Sequence, residues 1–95
     1  MTRTIIKKLD FHPYSQCHVE ITPEMTVFFS YRTAVLFLDN EGWLECTGTY
    51  SQTTRKQIGW FLREYAQNIS YSSVKQCYQD DMRINIRTGE IESLI

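Results

Sequence analysis

The apolar residues of this chain change period near residue 50, and that switch limits the fold more than any other feature. Before it they follow the two-residue beat of strands. After it they first recur at helical spacing. Strands followed by a one-sided helix bury their apolar faces against each other, which is the α+β solution. At 95 residues there is room for one such domain, 1–95.

The strand part reads in detail. Residues 16–22 alternate, with Cys17, Val19 and Ile21 on one face and His18, Glu20 and Thr22 on the other. Residues 25–30 are β-branched and aromatic, and residues 33–38 are the most apolar run, which suits a central strand. Asp39-Asn40-Glu41-Gly42 is a hairpin turn, and residues 43–47 return from it. Residues 3–9 suit a short edge strand guarded by Arg3, Lys7 and Lys8. Residues 83–86 and 91–95 suit a terminal hairpin.

Ile58, Phe61, Leu62, Tyr65 and Ile69 mark one face of a helix over about 54–67. Tyr50, Ser51, Thr53 and Thr54 precede it. Thr54 with Gln57 has capping-box spacing, and Thr53 is the other candidate cap. Asn68 is placed to end the helix in a left-handed turn. Ser72 and Ser73 offer caps for a second helix over about 73–80, with Val74, Cys77 and Tyr78 on one side. The expected fold is an antiparallel sheet of four to five strands, with the first helix packed on one face and the short second helix beside it. Phe28, Phe29, Phe37 and Phe61 are the expected aromatic core.

Ser30-Tyr31-Arg32-Thr33-Ala34-Val35, then Tyr50-Ser51-Gln52-Thr53-Thr54, then Ile58 and Phe61-Leu62-Arg63-Glu64 resemble a family of small bacteriophage and prophage proteins. That family shows a SYxTxV strand, a YSxTTxxxI helix start and an FLRE-like helix. The resemblance spans residues 28–66 and implies phage origin and an α+β fold. Members often carry histidine where Gln57 stands, so histidine chemistry does not carry over to this chain.

Charge and cysteine usage narrow the function classes. Ten Lys and Arg stand against eleven Asp and Glu, a net charge of −1. A dedicated nucleic-acid binder carries a basic surplus, so here a local patch would have to serve. Cys17, Cys46 and Cys77 form no CxxC pair, and their odd number argues against a disulfide framework. Reduced thiols in the host-cell cytoplasm are the expectation. The apolar pair Ile5-Ile6 is far short of a signal-peptide core, and no run approaches the ~20 apolar residues of a membrane span.

Candidate sites follow from residue type. Cys17 and His18 are adjacent on a strand and therefore point to opposite faces, so no Cys–His pair is expected. No catalytic centre, metal site or cofactor is expected. Exposed aromatics and charged hairpins point to protein binding, with Trp60, Tyr31, Trp43, Glu41 and Glu45 as contact candidates. Trp60 is expected to stand exposed, off the apolar face of its helix. The function expected is that of a small accessory protein acting on a host or phage protein, with inhibition of a bacterial defence system, anti-CRISPR-like, as one role. A homodimer contact is another use of the same aromatics. The rival reading is a DNA-binding regulator with a helix-turn-helix over 54–80. Thr53, Thr54, Arg55, Lys56 and Lys75 are the anion- or nucleic-acid-binding candidates.

Overall fold

The computed structural model describes residues 3–48 and 51–95. Among them the chain forms seven strands and two helices: β1 (Ile5–Lys7), β2 (Cys17–Ile21), β3 (Met25–Ser30), β4 (Thr33–Asp39), β5 (Trp43–Cys46), α1 (Gln52–Tyr65), α2 (Tyr71–Gln79), β6 (Met82–Asn85) and β7 (Ile91–Ser93). The sheet order follows the chain order from β1 to β7, and every neighbouring pair is antiparallel. Both helices lie between β5 and β6 in sequence and cover one face of the sheet.

The four to five strands expected fall short of these seven. β1 and β7 are three residues each and exposed throughout. Such strands carry no alternation to show that they pair, yet both join the sheet as its edges. The central position expected for residues 33–38 holds, since β4 is fourth of the seven.

The core lies between sheet and helices. Val19, Phe28, Leu36, Leu44 and Ile84 meet Ile58, Phe61 and Leu62 of α1 and Val74 and Cys77 of α2. The rings of Phe28 and Phe61 approach to 5.1 Å between centroids. Phe29 and Phe37 correct the expected aromatic core. They follow Phe28 and Leu36 by one residue, so alternation turns them to the opposite face, where they are half-buried. Alternation fails at Val35 and Leu36, both fully buried. Phe28 pairs with Leu36 but Phe29 with Ala34, so Val35 is the extra residue of a bulge.

Both helices begin earlier than expected. Ser51, not Thr53 or Thr54, caps α1 by accepting from the Thr54 backbone N–H, and Ser70 caps α2 by accepting from Ser73. The cap hydroxyl must sit outside the helix and reach the third residue inside it, which moves both starts upstream. α1 ends at Ala66, whose φ is −152°, rather than at a left-handed Asn68.

A candidate partner surface at one end of the sheet

Three segments meet at one end of the sheet: the β1–β2 loop, the β3–β4 turn and α1, whose start lies against Ser30 of β3 and whose later turns meet the loop at Trp60 and Glu64. The loop is rigidly tied. Leu9 anchors it in the core. The His12 backbone N–H donates to Leu9 O at 3.2 Å, and the Ser15 hydroxyl donates to His12 O at 2.7 Å. Lys8 Nζ donates to Ser15 O at 2.8 Å, and the Asp10 N–H donates to Glu64 Oε1 of α1 at 2.7 Å.

With Leu9, His12 and Ser15 directed inward, Phe11 and Tyr14 are left outside, 79% and 97% exposed. In the adjoining turn Tyr31 is 55% exposed, and its N–H donates to Gln16 O at 2.7 Å, joining turn and loop. Tyr31 is the first residue of a two-residue hairpin connection, because Ser30 pairs with Thr33. Its φ is 57°, in the left-handed region that favours glycine. Sequence reasoning found Tyr31 but passed over Phe11 and Tyr14. The signal was the run Phe11-His12-Pro13-Tyr14, rings in a segment where polar turn residues are usual.

The other partner candidates are scattered. Trp60 is not the exposed aromatic expected: it is half-buried against the core, and the His12 ring stacks on it at 3.7 Å and 9°. The loop folds over α1 and hides that face. Trp43 lies on the open face of the sheet with the Arg83 guanidinium 4.5 Å above its ring. Glu92 holds that guanidinium, with Asp39 3.9 Å away. Glu41 is exposed in the β4–β5 turn, and Glu45 lies half-buried beside Phe37 on the open face.

Ser30 and Thr54, within the segments quoted for the phage resemblance, serve the interior. Ser30 Oγ donates to Gln57 Oε1 at 2.5 Å, so its contact with Thr54 Oγ1 at 3.1 Å must be one it accepts. Thr54 Oγ1 in turn accepts from Ser51 Oγ at 3.2 Å. One relay of hydroxyls thus runs Ser51, Thr54, Ser30, Gln57 and fastens the start of α1 to the end of β3. Thr54 is buried in it and is not available to an anion. Tyr50, first residue of the helix-start motif, lies outside the described residues. Thr53, Arg55, Lys56 and Lys75 are exposed on the helix layer. The two helices lie flat: α2 rests on β5 and β6 through Val74 and Cys77, and Gln76 is engaged with Asp80 at 2.8 Å.

Cys17 is buried beside Ser15, and burial pushes its thiol up, against the smaller opposing pulls of Ser15 and Lys8. A thiol held protonated is a poor nucleophile. His18 stacks on Phe29 and reaches Glu20 at 3.2 Å, on the open face, away from Cys17. Among the described residues no three His, Cys, Asp or Glu side chains converge as a metal site. No helix there is long and apolar enough to cross a membrane.

A seven-stranded antiparallel sheet, two helices on one face and a tied aromatic surface at one end define a small α+β protein. The chain belongs to a family of unknown function (DUF8033), whose profile matches residues 6–81, a span holding the aromatic end and both helices. No curated protein and no solved structure matches it.

Proposed function

We propose that this chain is a phage-type accessory protein that works by binding another protein, of host or phage, through Phe11, Tyr14 and Tyr31. The observation that carries the reading is three exposed aromatic rings on a tied loop and turn. A backbone tied before binding loses little conformational freedom on docking, and exposed aromatic side chains dominate contact energies. Tyr31 adds to this: a bulky residue kept in left-handed backbone at a surface is a mark of functional strain. Lys8 in the same loop and Arg32 in the same turn are both exposed and basic, so the complementary surface is apolar with acidic groups beside it. Phage origin rests on the resemblance over residues 28–66. Inhibition of a bacterial defence system in the host cytoplasm is the role that origin suggests.

The test is capture from a bacterial lysate with the tagged chain, nuclease-treated, against a Phe11→Ser, Tyr14→Ser, Tyr31→Gly variant of unchanged circular dichroism. One stoichiometric protein, lost with the variant, is the expected result. Equal capture by both chains would sink the assignment of this surface. Self-association through the same rings would instead show as a concentration-dependent mass in sedimentation, abolished by the same variant.

A further inference from the structure

The helix layer carries mostly positive charge. Arg55, Lys56 and Arg63 on α1 and Lys75 on α2 are exposed, and none makes a side-chain ion pair among the described residues. Within the two helices the one acidic residue is Glu64, and the Asp10 N–H occupies its Oε1. Several cations elsewhere are engaged: Lys7 with Asp10, Arg83 with Glu92, Arg87 with Asn40 O. The overall charge of −1 conceals this separation.

The charges border a groove. Two hollows of about 390 Å³ each open on either side of Tyr71, one at Arg55, Lys56 and Ser72, the other at Gly59, Arg63 and Gln67. The Arg55 guanidinium lies over the Tyr71 ring at 5.1 Å. Arg55 and Arg63 are eight residues apart, or ~12 Å along the helix. Between them sits Gly59, where an added Cβ would meet nothing within 4 Å. Packing therefore does not require glycine there, although glycine weakens a helix interior relative to alanine. What it does provide is bare backbone at the floor of the groove.

We infer that this groove binds single-stranded nucleic acid, with phosphates on Arg55, Lys56 and Arg63 and a base against the Tyr71–Arg55 pair. Unpaired cations beside an aromatic platform are the recurring means of holding a single strand. A duplex fits less well, because α2 is nine residues long and lies flush on the sheet, so nothing projects into a major groove. This inference is independent of the aromatic end and uses none of its residues.

The experiment is fluorescence anisotropy of a labelled oligothymidylate of roughly a dozen nucleotides, titrated with the full chain across a salt series. Three phosphate contacts predict a log–log salt slope of about −2, since each contributes ~0.7 on a single strand. Arg55→Gln with Arg63→Gln should weaken binding by about tenfold or more and bring the slope near −0.7. Gly59→Leu, whose Cβ meets no neighbour and whose remaining side chain extends into the groove, should weaken binding while leaving the thermal midpoint unchanged or higher. A slope near zero, or variants that bind as the native chain does, would overturn the inference. So would a polyglutamate or a duplex of equal length binding as tightly, which would assign the groove to an acidic protein or to double-stranded DNA.

Discussion

Ser30 has one proton and gives it to Gln57, and that economy makes it the residue whose loss is felt most widely. Ser30→Ala leaves the Gln57 carbonyl without its donor and the Thr54 proton without its acceptor, in a site where both residues are buried. A buried polar group left unsatisfied costs about 1–3 kcal/mol, so the urea midpoint should fall by that equivalent with its slope unchanged. Gly59→Ala should act in the other direction, adding roughly 0.5–1 kcal/mol by helix propensity alone, because the new methyl meets no neighbour. A loss of stability in that variant would mean that the helix surface is tighter than it looks. The relay itself was not legible in the sequence. Thr54 and Gln57 have capping spacing, and local geometry explains them fully; their true partner is 24 and 27 residues away. Only the meeting of β3 with α1 brings it within reach.

Strands and helices as types were legible, because one period governs residues 16–47 and another governs α1. Their limits were less so. Ser51 and Ser70 compete with Thr53, Thr54, Ser72 and Ser73 as caps, and only helix direction relative to the sheet selects among hydroxyls so close in sequence. The β3–β4 hairpin was visible as two strands, but its left-handed Tyr31 was not, since nothing in Ser30-Tyr31-Arg32-Thr33 resembles the usual glycine or asparagine signal. That conformation makes a prediction for the element. Tyr31→Gly relieves a left-handed backbone that costs an ordinary residue ~1–2 kcal/mol, and glycine returns part of this as greater freedom in the unfolded chain. The net expectation is a gain of up to about 1 kcal/mol, read as a higher thermal midpoint, together with loss of partner capture. Lower stability would show instead that the Tyr31 ring packs usefully on the loop beside it.

Among the described residues, cations without ion pairs lie on the helices, the thiols lie inside and three exposed rings lie at one end. The interior part of this arrangement sets the response to pH. Burial pushes the thiols of Cys17, Cys46 and Cys77 above their ordinary 9.0, with Glu45 adding at Cys46 and Asp80 at Cys77. Burial likewise drives Tyr65 from 10.0 up to about 12, aided by the charge and hydrogen bond of Glu64 and the charge of Asp10. Each of these groups ionises at lower pH in the unfolded chain than in the folded one. As pH rises, the unfolded state therefore binds fewer protons and stability falls. The contribution is intact below pH 9.0, begins to be lost there through the thiols, and continues through Tyr65 from pH 10.0 to about 12. With reductant present, urea midpoints should decline steadily from about pH 9 upward. Tyr65→Phe separates the two sources. It removes the ionisable hydroxyl and should flatten the decline above pH 10.0 while leaving the thiol-driven part below it. A midpoint independent of pH over the same range would mean that the thiols and Tyr65 are as well solvated folded as unfolded, and the packing of α1 and α2 on the sheet would then be looser than these contacts describe.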